Sequence, residues 1–374
     1  MYSEIDLANA VEAGVMTQAQ ADAFRNHIAQ GRSSPAVDEE HFRLLTGFND
    51  IFVAIAAALM LAAVGWIGFY IGSHVFNLVN REGIVEGGSA VAMGAGAVSI
   101  TSWLLAEYFT RQRRMALPSI LLLTAFAWGV FAVVSALFVA NTPWIAEQLH
   151  IDLNDEVRMK QLAGGFAIIV GIVTAAATWL HWKRFMVPIT VAVGAMALVT
   201  VAIGSITAFV PGSVDWLNYI VLVAGVLVFA FAMRWDMSDL ERRTRRSDVA
   251  FWLHLLAAPL IAHPVFHLLG VFDHNISIPM AMVVLGLYVV FAAVALAIDR
   301  RALLVSSLVY VLYAMYSLFE STGAVELSAA LTGLVIGSAL LMLSAFWQPM
   351  RRGVVGMLGG LGESLPPTQQ VVTA

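Results

Sequence analysis

Four histidines fall in, or just after, one apolar stretch of this chain. His263 and His267 are four residues apart, a spacing that places both side chains on one face of a helix, and His274 projects along the same stripe. Two histidines so spaced can hold a metal ion, to which His274 or Asp273 could add a ligand. His254 points to roughly the opposite face. The pattern therefore makes His254, His263 and His267 candidate ligand contacts, and His263, His267 and His274 candidate metal ligands.

The same histidines also fit a structural role, which we favour. Pro259 and Pro264 lie in the same stretch and are expected to kink the helix and disturb the stripe. The imidazoles would then hydrogen-bond to neighbouring helices or to freed carbonyls near the outer interface, and His263 and His267 would face the interior of the bundle. A metal enzyme would also need a carboxylate base, and the sequence has no HExxH motif. We therefore assign no catalytic residue and no cofactor, and favour a non-enzymatic protein.

The composition requires an apolar environment for most of the chain. Of its 374 residues 60% are hydrophobic and 12% are charged, against about 25% charged in a typical soluble domain. There is no cysteine, which excludes disulfides and thiolate chemistry. The basic residues are spread over short segments and form no continuous stripe, so nucleic acid is not an expected partner.

The apolar residues form ten stretches, each close to the ~20 residues that a helix needs to cross a bilayer. Lipid offers the backbone no hydrogen-bond partner, so these stretches must be helices. The sequence predicts an all-α polytopic membrane bundle. Its spans are expected at 49–72, 88–109, 117–140, 161–182, 186–208, 217–235, 249–270, 279–298, 302–320 and 327–347.

The basic residues predict the orientation of the bundle. Seventeen of the 20 lysines and arginines fall in the two terminal regions, in alternate gaps between the spans or at the adjoining span end, and the remaining gaps hold only Arg81, Arg158 and Lys160. Cytoplasmic loops carry an excess of positive charge. An even number of spans then places both termini in the cytoplasm.

Three regions follow from this pattern. Residues 1–47 are expected to form a small cytoplasmic helical hairpin and linker, in which Thr17 and Gln20 have the spacing of a capping box. Residues 48–348 form the ten-helix transmembrane domain. Residues 349–374 are expected to be a cytoplasmic C-terminal tail, in which the glycine-rich run 353–362, before Pro366 and Pro367, is flexible or lies on the surface.

Some residues are expected to serve helix packing or surface pairing. Glycines four residues apart, as in Gly68 with Gly72 and Gly333 with Gly337, let helix backbones approach closely in lipid. Glu107 precedes Arg111 by one helical turn and is expected to pair with it. Asp299 falls at a span end, where water or headgroups should reach it.

Three segments carry a resemblance to a known group of proteins. They are Arg43–Phe52, Ala262–Pro264 and Phe346–Arg351, and together with the hairpin before them they resemble an uncharacterised family of bacterial multi-pass inner-membrane proteins. The resemblance covers much of the chain and implies a bacterial inner membrane. It implies no substrate, reaction or catalytic residue.

Three functional hypotheses remain open from the sequence. The first is a transport-related or accessory protein for an apolar or lipid-like ligand, with the lipid bilayer as its surroundings. The second is a membrane scaffold or sensor that docks a cytoplasmic protein partner through residues 1–47. The third is a metal-dependent membrane enzyme centred on His263 and His267.

Overall fold

The structure, a computed structural model, describes residues 4–32, 48–75, 83–240, 242, 244–271, 278–321 and 327–368. These residues form helices and short connections, with no strand among them. Ten of the helices are long and apolar enough to cross a membrane. The predicted all-α polytopic bundle is therefore confirmed, and the chain is a multi-pass membrane protein.

Two short helices precede the spans. They are α1 (Glu4–Glu12) and α2 (Gln18–Arg32). The expected capping box is present, since Thr17 N donates to Gln20 Oε1 over 2.8 Å and Gln20 N donates to Thr17 Oγ1 over 3.3 Å. Residues 33–47, which complete the predicted N-terminal region, lie outside the described residues.

Each predicted span falls on one helix, because a continuous apolar stretch of this length is stable in lipid only with its amides paired internally. The ten helices are α3 (Phe48–Val75), α4 (Gly83–Ala106), α5 (Ala116–Gln148), α6 (Glu156–Phe185), α7 (Ile189–Phe209), α8 (Leu217–Met237), α9 (Arg245–Leu268), α10 (Ile278–Ile298), α11 (Ala302–Ser321) and α12 (Ser328–Ala345).

Antiparallel neighbours place the arginine-rich turns together at one end of the bundle, which we call the basic end. Ion pairs between separate turns, such as Arg184 with Glu107 and Arg242 with Asp299, show that these turns are adjacent. The start of α6, with Arg158 and Lys160, lies at the opposite end.

Helix α9 occupies the centre of the second half of the bundle. It packs against α7, α8 and α11, and 50% of its most apolar window is buried, against 17% for α12. Small residues make this burial possible, because Ala257, Ala258 and Ala262 are all fully buried and allow close approach of other helices. The helix continues through Pro259 and Pro264.

Some helices extend beyond their predicted ends, because the helix continues into polar sequence. Helix α5 has 33 residues and runs through Pro143 to Gln148, about 50 Å at 1.5 Å per residue, whereas its predicted span ends at 140. The last turns of α4 continue as a π-helix over Glu107–Gln112. The predicted tail begins with a further helix, α13 (Trp347–Met357), and a 3₁₀ segment at Gly359–Ser364.

The two glycine pairs lie in different surroundings. A Cβ on Gly72 would lie 2.6 Å from Ala90 Cα, and one on Gly68 would lie 2.9 Å from Gly94 Cα. These glycines therefore let α3 and α4 touch backbone to backbone. Gly333 and Gly337 have no described atom within 4 Å of a Cβ position, so no described helix of this chain approaches them.

Candidate functional site

The outer two histidines of α9 contact neighbouring helices. His263 Nδ1 lies 2.9 Å from the Tyr310 hydroxyl of α11, and the Asn218 amide of α8 donates to His267 Nδ1 over 3.1 Å. The two imidazole centroids are 6.0 Å apart. Each ring thus joins α9 to a different helix near the end of the bundle opposite the basic end.

The bundle-facing orientation expected for these two residues is not observed. His263 and His267 are both exposed on the protein surface, because the side chains of Tyr310 and Asn218 reach them at the rim of the helix packing. Hydrogen bonds of this kind still reduce the cost of a polar ring in an apolar surrounding.

The described side chains near His263 and His267 do not complete a set of metal ligands. Within the part of the chain that the structure describes, no group of three or more histidine, aspartate and glutamate side chains could hold a metal ion. The predicted further ligands His274 and Asp273 lie in residues 272–277, outside the described residues.

The third histidine belongs to a buried ionic network that sequence reasoning missed. His254 Nε2 lies 3.1 Å from Asp236 Oδ2, so the ring joins α9 to α8. The Arg300 guanidinium donates to Asp236 Oδ1 over 2.6 Å and to Oδ2 over 3.2 Å, and it also donates to the Ser247 hydroxyl over 3.2 Å. Asp236, His254 and Arg300 are at most 3% exposed. These contacts connect α8, α9 and the turn between α10 and α11.

A second carboxylate continues the network to the C-terminal segment. Asp299 accepts hydrogen bonds from Arg242 over 3.0 Å and from the Trp347 indole over 2.8 Å. Arg351 Nε lies 3.5 Å from the same carboxylate, and its other nitrogens donate to the Pro366 and Pro367 carbonyls. We call these residues, together with Asp236, His254, Ser247 and Arg300, the basic-end network.

This network corrects one expectation from the sequence. Asp299, expected to meet water at a span end, is 7% exposed, because Arg242 and Trp347 enclose its carboxylate. The same network holds α13 through Arg351, which is 1% exposed. The positive-inside rule counts the arginines of this network only as positive charges in loops, so it cannot show that they are buried.

The network joins helices rather than forming an accessible charged surface. Burial lowers the pKa of the Arg242 guanidinium, and Arg300 acts in the same direction, whereas Asp299 and Asp236 oppose the shift. Breaking such a buried pair is strongly destabilising, since it leaves one charge without its partner. We therefore interpret the network as a lock on the basic end.

Two further polar features lie at the basic end of α4 and α6. The predicted pair of Glu107 with Arg111 is confirmed at 3.3 Å, and Arg184 of α6 adds a bidentate contact to Glu107 at 2.7 and 2.9 Å. His181 is fully buried, and its ring contacts Trp103, Phe126 and Phe185. These contacts fasten α6 to α4 and α5. The spacing of Arg184 from Glu107 along the chain gave no signal of their pairing.

An open apolar groove lies between α5 and α6 at the end opposite the basic end. Its volume is about 660 Å³. Phe138 of α5 and Phe166 of α6 stack in its wall with centroids 4.5 Å apart. Arg158 and Gln161 stand at its polar end. The other lining residues are Ile145, Leu149, Ile151, Leu162, Gly165 and Ile169. Apolar walls with polar groups at one end suit an amphiphile.

Comparison of the chain with protein-family models, with curated proteins and with solved structures finds no match. The function is therefore argued from the geometry of the multi-pass bundle alone.

Proposed function

We propose that this membrane protein binds a lipid-like amphiphile in the groove between α5 and α6, as a transport-related or accessory protein. The proposal places it in a bacterial inner membrane, with the basic end and both termini in the cytoplasm. The groove then opens to the outer leaflet. The observation that carries the proposal is the arrangement of polar and apolar residues along this groove.

The length of the groove suits one leaflet. Its lining residues on α6 run from Arg158 to Ile169, and eleven residues of helix rise about 16 Å. One leaflet contributes about half of the ~30 Å hydrocarbon thickness. An acyl chain could therefore lie along the groove while its headgroup meets Arg158 and Gln161.

The placement of buried charge favours an apolar ligand over an ion. The buried carboxylates Asp236 and Asp299 lie at the basic ends of α8 and α10, and Asp50 lies in the first turn of α3. Ion-coupled carriers usually place an ionisable group deep in the membrane. These three carboxylates instead lie at helix ends.

Gly165 offers a direct test, because a Cβ at this position would meet no atom of the described chain within 4 Å. We expect Gly165→Leu to fill the groove and to lower lipid binding at this one site about tenfold, the factor that corresponds to 1.4 kcal/mol, which the spectrum shows as the loss of one lipid mass per chain. The measurement is native mass spectrometry of the full chain in a mild detergent, with and without added phosphatidylglycerol.

Gly286→Leu is the matched control, since Gly286 on α10 also has no described atom within 4 Å of a Cβ position and lies away from the groove. We expect this variant to keep the lipid occupancy of the parent protein. Equal occupancy in both variants would contradict the groove as the binding site.

The scaffold or sensor hypothesis is a second candidate, favoured by the hairpin of α1 and α2. Leu7 and Ala21 are buried there, whereas Val15 in the connection is 77% exposed. An exposed apolar side chain beside a small folded element can contribute to a protein contact. In the same mass spectra, a bound protein that is lost on deletion of residues 1–32 would favour this candidate.

A further inference from the structure

Helix α13 has two distinct faces. Trp347 and Arg351 on one face are 3% and 1% exposed, whereas Met350 and Met357 on the other are 45% and 87% exposed. The buried face packs on α10 and joins the basic-end network. The exposed side carries these two methionines and Arg352, and the helix follows the last span, α12, after the single residue Phe346. A short helix so placed suits the boundary between headgroups and acyl chains.

A second open apolar groove of about 570 Å³ runs between α12 and α13. Its walls on α12 are Ala339, Met342 and Leu343, followed by Phe346, Pro349 and Met350. The α12 residues lie within a membrane-spanning helix, so the groove is continuous with the hydrocarbon of the leaflet at the basic end. A soluble protein could not reach these walls through the bilayer, but an acyl chain of the same leaflet could.

Two cationic side chains lie on α13 or against it. Arg352 is exposed and follows Pro349 by one helical turn, whereas its neighbour Arg351 points inward to Asp299. The Arg301 guanidinium lies 4.6 Å from the centroid of the Trp347 ring on α13. Basic residues at the membrane surface attract anionic headgroups.

We propose that the groove between α12 and α13 binds one anionic glycerophospholipid of the leaflet at the basic end. Its acyl chain lies against Ala339, Met342 and Met350, and Arg352 holds its phosphate. The site is separate from the groove between α5 and α6 and does not rest on the proposed function. Because Arg351 and Trp347 tie α13 to Asp299, the bound lipid also supports the basic-end network.

The test compares lipid binding to the full chain by native mass spectrometry, after delipidation and addition of either phosphatidylglycerol or phosphatidylcholine. In the Gly165→Leu background, which closes the groove between α5 and α6, we expect Arg352→Gln to lower phosphatidylglycerol binding about fivefold, as about 1 kcal/mol per basic residue at the surface implies. Phosphatidylcholine binding should not change. Ala339→Trp should fill the groove and lower binding of both lipids.

Controls use the same substitutions elsewhere. Arg114→Gln removes an exposed arginine from the turn before α5, and Ala330→Trp adds an indole to the other end of α12. Both should bind like the parent protein. If Ala339→Trp does not fold, Met350→Gln tests the same wall from α13.

The outcomes separate clearly. Unchanged phosphatidylglycerol binding in Arg352→Gln, or unchanged binding of both lipids in a folded groove variant, would overturn the proposal. Gly165→Leu, measured in parallel, should retain this site. The test of the groove between α5 and α6 is therefore independent of the test of the site on α13.

Discussion

Replacing Asp236 with alanine is expected to lower the free energy of unfolding by about 3–5 kcal/mol, the range for removing one partner of a buried ion pair. The Arg300 side chain, which is 4% exposed, would lose both carboxylate contacts and keep its charge in the interior. His254 would also lose its partner on α8. The effect should appear as easier unfolding by sodium dodecyl sulfate in mixed micelles.

An exposed ion pair provides the matched control. Lys160 and Glu156 are 3.3 Å apart, with side chains 52% and 84% exposed, so Glu156→Ala should change the free energy of unfolding by less than about 1 kcal/mol. Adding Arg300→Met to Asp236→Ala should recover part of the lost stability, because the unpaired charge is then removed. Equal effects of Asp236→Ala and Glu156→Ala would show that the network does not lock the basic end.

Gly72→Leu is the second change with a large expected effect. Its Cβ would lie 2.6 Å from Ala90 Cα and 3.1 Å from the Ser89 carbonyl oxygen, and neither backbone atom can move without separating α3 from α4. Overpacking of a well-packed site costs about 1–3 kcal/mol, and more when the backbone must shift. We expect about 3 kcal/mol or more in the same unfolding assay.

Gly333→Leu serves as the control for this change. It introduces the same side chain into a membrane helix, but no described atom lies within 4 Å of its Cβ position. Its free energy of unfolding should stay within about 0.5 kcal/mol of the parent protein, as for a typical surface substitution. A loss in Gly333→Leu as large as that in Gly72→Leu would contradict the packing assigned to α3 and α4.

The spans were predictable because a single physical requirement determines them. Every apolar stretch long enough to cross the bilayer must pair its own amides, and each predicted span does fall on one helix. The ends were less predictable, since lipid places no such constraint on polar sequence. Helix α5 therefore continues past its predicted end through Pro143, and α13 forms in a segment whose glycines suggested a tail.

The basic-end network could not be predicted, because it depends on contacts across three helices. Along the chain, His254 lies 18 residues from its contact Asp236, and Arg300 lies 64 residues from the same carboxylate. The histidine pattern did identify α9 as unusual. It made His254 only a candidate ligand contact beside His263 and His267, however, and hydropathy alone could not show that His254 has the buried carboxylate partner. Periodicity predicts on which face of its helix a side chain lies, but not which residue of a neighbouring helix it contacts.

The proposed orientation places the basic end of the bundle in the cytoplasm, and the absence of cysteine makes this directly measurable. Single cysteines replace Ser238, an exposed residue at the basic end, and Asn154, an exposed residue before α6. A membrane-impermeant maleimide is then added to intact spheroplasts. We expect labelling of Asn154→Cys from outside and of Ser238→Cys only after permeabilisation. Labelling of both from the same side, or the reverse pattern, would contradict it.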